Sequence, residues 1–517
     1  MLSWVTGACA AYHSGSIDTT QTRTVRSRTT MSAPGKDGVK GYARVAALRT
    51  AELFSRHLAA EGIELGFDSE MAAAGSSPLG EPFQIGDVRV GNRFCVLPME
   101  GWDGTSEGEP SDLTVRRWQN FGKSGAKLIW GGEAVAVRHD GRANPHQLML
   151  DERTLPSIAR LRQQLIAAHV EKFGAGAEND LYIGLQLTHS GRFSKPNLHE
   201  RPEPMAAVAN PVLDPRFSHP VPVMTDEDIS RLIEDFVAAA KRAANAGFSF
   251  VDVKHCHGYL GHELLGAHQR AGRFGGSLEN RTRFMREIID GIRANVPGLE
   301  IVVRLSAFDV VPHRKSADGA GVPAIDPAEY PAGFGLLQNG DLNAALDEAR
   351  QILGMLERRQ VHWVCVTAGS PYYCPHAQRP ALFPPSDGYD PPEDPLHGVA
   401  RLIQATTLLK RSFPRMAIVG TGYSYLQEWL PHVAQHQVRH GHADFVGLGR
   451  MMLAYPDLPA DVLSGTPMRR KHICRTFSDC TTGPRLGLVS GCFPLDPFYL
   501  NHPDGARLRD AKSPARS

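Results

Sequence analysis

The sequence holds little cysteine, no surplus of charge of either sign and no long apolar run. Its eight cysteines in 517 residues, Cys9, Cys95, Cys256, Cys365, Cys374, Cys474, Cys480 and Cys492, are too sparse for a disulfide framework. Several lie in apolar runs where a small hydrophobe would serve. A reducing, cytoplasmic compartment is therefore the expectation. Lys and Arg number 56 against 55 Asp and Glu, a net charge of +1, so nothing argues for a nucleic-acid partner. No stretch approaches the roughly 18 consecutive apolar residues of a membrane span. The segment Trp4 to Tyr12 has no basic flank and only a weak apolar run, so it makes a poor signal peptide. What is present, 42% hydrophobic and 21% charged residues, is ordinary globular composition with a sizeable core.

Residues 1–40 begin Ser/Thr-rich with Arg23, Arg26 and Arg28 and read as a disordered leader; 41–82 read as a helical arm, Tyr42 to about Glu61, and a Gly/Ser/Pro linker. From 83 to 465 short apolar runs alternate with amphipathic segments. Eight runs read as buried parallel strands: Phe94–Leu97, Lys127–Trp130, Leu181–Leu187, Ser249–Val253, Glu300–Arg304, His362–Val366, Met416–Val419 and Asp444–Leu448. Helical period appears in Leu113-x-Val115-x-x-Trp118-x-x-Phe121, after Pro156, and behind Thr225-Asp-Glu-Asp228, whose capping-box spacing precedes an apolar face at Ile229, Leu232, Ile233 and Phe236. Eight strand–helix units favour closure into an α/β (β/α)₈ TIM barrel. Residues 466–517 read as a C-terminal extension.

In such a barrel the C-terminal strand ends build the site. Gly420-Thr421-Gly422, ahead of Ser424, and Gly449-Arg450 one strand later suit a phosphate held by backbone N–H groups and a helix N-terminus; the alternative is that the glycines only make tight turns. Lys254, His255, His257 and Tyr259 crowd one strand end with proton donors able to polarise a carbonyl and protonate the adjacent carbon. Arg304 ends an apolar strand and can equally be a structural ion pair; Gln186 can be a buried amide satisfied by backbone.

The run Val253-Lys-His-Cys-His-Gly-Tyr-Leu260, followed by Gly272-Arg-Phe-Gly-Gly-Ser-Leu-Glu-Asn-Arg-Thr-Arg-Phe284, resembles the Old Yellow Enzyme family of FMN-dependent NAD(P)H oxidoreductases. The likeness runs from Phe83 to about Pro459 through Leu97-Pro98-Met99, Gln186-Leu-Thr-His-Ser-Gly-Arg192 and Gly447-Leu-Gly-Arg450. It implies FMN as cofactor, NADH or NADPH as reductant and a small-molecule substrate; self-association of the chain is left open. Pro98 and Met99 would line the flavin through backbone, Ala134 would face it, and Gln186 would bond its pyrimidine edge. Arg304 would sit near N1 and O2, and Gly420, Gly422, Gly449 and Arg450 would hold the phosphate. Tyr259 matches the proton donor and His257 the second member of the substrate-polarising pair.

Two positions depart from the family pattern. Lys254 stands where the pair's first His is usual, and either polarises an acceptor or turns aside to an acid. Glu100 follows Pro98-Met99 where a small residue or Cys is usual, so a carboxylate either lies near the reacting centre or turns away. Cys480-x₁₁-Cys492 keeps the final spacing of an iron–sulfur subfamily, but the preceding C-x₂-C is missing and Thr476 stands where a cysteine is needed, so no metal site is expected. The leading expectation is hydride transfer from NAD(P)H through FMN N5 to an activated alkene. The alternatives are FMN-dependent oxidation of an amine or alcohol with Glu100 as base, a Lys254 Schiff-base aldolase, and flavin storage without turnover.

Overall fold

The computed structural model describes residues 41–512, so the expected leader lies outside the described residues. Eight strand positions pair in parallel in chain order: Phe94–Val96 (β1), Leu128–Ile129 continued by Ala134–Ala136 (β2), Tyr182–Thr188 (β3), Phe250–Val253 (β4), Glu300–Ser306 (β5), Trp363–Thr367 (β6), Ala417–Gly420 (β7) and Phe445–Leu448 (β8). β8 returns to β1 with Gly447 opposite Cys95, which closes the (β/α)₈ barrel. The crossovers carry Asp112–Gly122 (α1), Leu155–Phe173 (α2), Asp226–Asn245 (α3), Arg283–Asn295 (α4), Asp347–Arg358 (α5), Pro395–Ser412 (α6) and Leu430–Arg439 (α7). Nearly every strand residue is buried, as a parallel sheet covered by helices requires.

Local chemistry explains where these elements start. Thr225 and Asp228 form the anticipated reciprocal cap of α3, which supports its first turn by about 1 kcal/mol. Ile229, Leu232, Ile233 and Phe236 all face inward from it. Ser111 and Thr114 cap α1 in the same manner. The arm helix is shorter than expected, Ala51–Ala60, because Thr50 caps it and only a 3₁₀ turn at Val45–Ala47 precedes it.

Two features of the barrel were not anticipated. β2 is broken: Ile129 pairs with Ile183 and Ala134 with Gln186, so the second strand carries two residues more than the third between those pairs. Gly132 absorbs the bulge at φ +53°, where an added Cβ would meet the Trp118 ring at 2.6 Å. In addition, Phe83–Ile85 and Val88–Val90 form an antiparallel hairpin. It plugs the N-terminal end, with Phe83 edge-on to Trp363 and Phe445 at 5.6 and 5.0 Å between ring centres. Interior packing at that end with Trp130, Phe250 and Cys365 leaves the opposite mouth to hold the polar residues. Among the described residues no helix is long and apolar enough to cross a membrane.

Candidate active site at the C-terminal mouth

A cavity of about 250 Å³ opens where β1, β3, β4, β5, β7 and β8 end. Its floor is set by a buried carboxylate that the sequence reading did not single out. Asp252 on β4 accepts hydrogen bonds from Gln186 Nε2, from Trp130 Nε1 at 2.8 Å and from the Arg304 backbone N–H at 2.7 Å. Burial nevertheless pushes its carboxyl up to about 6. Because the Gln186 amide nitrogen is tied to Asp252, its carbonyl oxygen is left for a ligand. Arg304, only 4% exposed, enters the same cavity with its Nε unpartnered.

Glu100 is the hub of one wall. Its Oε1 lies 2.6 Å from Lys254 Nζ, and its Oε2 accepts from the Tyr259 hydroxyl at 2.6 Å and from Trp102 Nε1 at 3.1 Å. Lys254 does pair with an acid, yet both partners stay in the cavity wall. The Lys254 ammonium also sits 3.8 Å from the centre of the Tyr259 ring. Tyr259 reaches Tyr372 through its hydroxyl at 2.9 Å, and burial followed by the Glu100 charge raises its pKa well above the ordinary phenol value. Its proton is therefore retained at neutral pH.

His257 holds a left-handed backbone, φ +68°, and Trp102 another, φ +50°. Strain of about 1–3 kcal/mol at such residues persists only when the surroundings hold it. At His257 the Ser306 hydroxyl accepts its backbone N–H at 3.1 Å and the Ser370 hydroxyl donates to its carbonyl at 2.7 Å. Burial, then the charges of Arg304 and Lys254, keeps the imidazole neutral, and Gln378 contacts its Nε2 at 3.1 Å.

His255 points away from this chemistry, its Nδ1 bonded to the Val253 carbonyl at 3.0 Å. Burial lowers its pKa to about 4. A depressed imidazole contributes stability that is complete above its unfolded pKa of about 6.5 and lost as pH falls toward 4, about 3 kcal/mol in all. His255→Phe should flatten the fall of unfolding free energy between pH 6.5 and 4 by up to one proton. Urea titrations of both proteins across that window check this, and parallel slopes would exclude it.

At the other end of the cavity stand Gly422, Gly449 and Arg450. Gly422 takes φ +99°, which a side chain would strain. A Cβ on Gly449 would find only Met99 Sδ, at 4.0 Å, so the position opens onto free space. Arg450 donates Nη2 to the Pro380 carbonyl at 2.8 Å and leaves Nη1 without a partner. Of the expected residues, Pro98, Met99, Glu100, Gln186, Lys254, His257, Tyr259, Arg304, Gly422, Gly449 and Arg450 line this one cavity. Ala134 and Gly420 do not. Ala134 is enclosed in the second half of β2, and Gly420 ends β7 beside Tyr423. The Met99 backbone N–H is already spent on the Gly132 carbonyl at 3.0 Å.

The pattern reading also missed Arg117, which reaches into the cavity from α1 and pairs bidentately with Asp103 and again with Glu133. The C-terminal extension adds Cys480, Thr481, Pro484, Arg485 and Ser490 to the wall. It is held down by a small core of Leu488, Phe493, Tyr499 and Leu508 against Leu113. Among the described residues no three His, Cys, Asp or Glu side chains converge as metal ligands would.

Residues 78–325 match the sequence profile of the NADH:flavin oxidoreductase / NADH oxidase family. Over 266 residues the chain is 32% identical to an NADPH dehydrogenase of a Geobacillus species, which spans 47% of this chain and 71% of that protein. The chain belongs to the NADH:flavin oxidoreductase / NADH oxidase family. It is also 32% identical over 253 residues to an NADH:flavin oxidoreductase of Gibberella zeae, with 46% of this chain and 58% of that one covered. In fold it resembles 2-naphthoyl-CoA reductase, with a TM-score of 0.60 at 21% identity over 85% of this chain and 59% of that one. The chain thus spans less than two thirds of the length of the latter two proteins. Members of this flavin oxidoreductase family bring FMN as cofactor and NADH or NADPH as reductant. The cavity fits that group. Unpartnered nitrogens on Arg304 and Arg450 offer charge to anionic acceptors, the Gln186 carbonyl offers an acceptor to a ring N–H, and the space beyond Gly449 admits a phosphate.

Proposed function

We propose that this flavin oxidoreductase family member transfers hydride from NAD(P)H, through FMN, to an activated alkene of the enone or enoate type. The observation that carries the reading is the convergence of a neutral His257 and a protonated Tyr259 in the cavity that also holds Arg304, Gln186 and the Gly449-Arg450 turn. FMN, when bound, supplies the hydride relay between reductant and acceptor. The chain supplies binding, orientation and protons. Arg304 and Gln186 would hold the ring edge, and Gly422, Gly449 and Arg450 would hold the phosphate. His257, neutral and fixed by its strained backbone, presents an N–H to the acceptor carbonyl, and Tyr259 delivers a proton to the α-carbon. Glu100 and Lys254 lie directly behind that hydroxyl and can restore its proton.

Two readouts test this. The wild-type protein should take up one FMN per chain and be bleached anaerobically by NADH or NADPH, then recover its colour on adding an enone. Arg304→Ala should weaken FMN binding about tenfold to a hundredfold, the range of a hydrogen bond to a charged group, and should lower the flavin reduction potential. Unchanged affinity and potential would make Arg304 structural.

A second reading has one observation in its favour. The Tyr259 hydroxyl points its proton at the Glu100 carboxylate, the direction needed to remove a proton from an amine or alcohol during its oxidation. Anaerobic bleaching by such a substrate, with no response to NAD(P)H, would select it. A Lys254 Schiff base is opposed by the 2.6 Å contact of Nζ with the Glu100 carboxylate, which occupies the nitrogen that such chemistry needs as a nucleophile.

A further inference from the structure

The outer wall of the cavity carries more positive charge than the phosphate turn accounts for. Arg379, in the loop after β6, and Arg485, in the extension helix Asp479–Arg485, both line it beside Arg450. Arg379 donates Nη1 to the Thr481 hydroxyl, while its Nη2 is shut off from water without a partner. Arg485 reaches Asp387 at 2.7 Å and the Pro371 carbonyl at 3.2 Å. Asp387 is more than half exposed and the only acid paired with either guanidinium among the described ion pairs. Burial and the repulsion of Arg485 and Arg450 depress Arg379. A half-buried guanidinium with one N–H shut off from water and like charges around it is costly unless an anion completes it. The place of this cluster is informative, because the Arg379 charge acts on both His257 and Tyr372, on the acceptor side of the cavity.

We propose that Arg379 and Arg485, with Thr481 between loop and extension, form an anion subsite for the diffusible ligand of the cavity. The subsite receives a carboxylate or phosphate oxygen pair in the guanidinium fork. This inference rests on the flavin reading above and adds that the enzyme's partner molecule is anionic. The anion has two sources, the pyrophosphate of the reductant or an acid group on the acceptor. The C-terminal extension then acts as a specificity element.

The test is calorimetric titration of the FMN-loaded enzyme at low salt with inorganic pyrophosphate and, separately, with glutarate, beside a flavin spectrum of each variant. Wild type should bind at least one probe saturably, and added salt should weaken it. Tighter pyrophosphate binding would assign the subsite to the reductant, tighter glutarate binding to the acceptor. Arg379→Gln should weaken the bound probe tenfold or more with FMN content unchanged, and Arg379→Lys should recover only part of the loss. Arg485→Gln, a change near the surface, should weaken it severalfold even if Arg379→Gln does not fold. Absence of any isotherm with wild-type holoenzyme, or unaltered binding in both Gln variants, would overturn the proposal. So would an Arg379→Gln protein that folds but emerges without FMN, since Arg379 would then serve the flavin's own phosphate. A wild-type protein that takes no FMN would instead remove the flavin reading itself, a result visible in the spectrum alone.

Discussion

Replacing Tyr259 by phenylalanine is expected to slow acceptor reduction about a hundredfold or more, the usual contribution of a positioned general acid. Reduction of the flavin by NAD(P)H should stay within about twofold, because that half-reaction takes no proton from the phenol. The structure sharpens this expectation. Tyr259 is tied to Glu100 and Tyr372 and lies beneath Lys254, so the phenol is one member of a chain of groups. Tyr372→Phe should cost less, since it removes only the hydroxyl contact with Tyr259 and keeps the stacked ring at 5.8 Å between centres. Anaerobic stopped-flow of the two half-reactions separates these effects. Equal losses in both would remove Tyr259 from proton delivery, and loss confined to flavin reduction would reverse its role.

Arg117→Leu should destabilise the fold by about 3–5 kcal/mol, the cost of leaving a buried ion pair with one partner removed. Arg117, Asp103 and Glu133 are each about 5% exposed or less at the side chain, and the change strands two carboxylates where burial already raises Glu133. Glu133 Oε2 also accepts the Gly101 N–H at 3.0 Å, so the segment bearing Glu100 should loosen and FMN retention should fall with stability. Glu133→Gln in the same background should restore part of the loss, because it removes one of the stranded charges. Urea unfolding of the three proteins checks this, and a single variant within about 1 kcal/mol of wild type would show that the arginine is compensated elsewhere.

Legibility followed physical range. Strands buried on both faces are contiguous apolar runs, so seven of the eight strand positions were readable to within a residue or two, from Phe94–Val96 to Phe445–Leu448, and of β2 only its first half, Leu128–Ile129. Caps are contacts over three residues, so Thr225 with Asp228 was equally plain. The hairpin at 83–90 left a signal that went unread, Gly86-Asp87 between alternating apolar residues. The break in β2 left only Gly131-Gly132, which reads as well for any tight turn.

The amino-acid sequence by itself determined the barrel and the order of its strands. It also determined which strand ends carry Lys254, His257, Tyr259 and Arg304, because apolar pattern and topology are set by neighbours along the chain. Only the tertiary structure decided what those groups do to one another. Glu100 meets Lys254 across 154 positions, Asp252 orients Gln186 across 66, and Arg379 joins Thr481 of the extension across 102. Side-chain partners so distant in sequence are chosen by barrel closure and by which charges a dry cavity can tolerate, and neither leaves a period or a spacing to read.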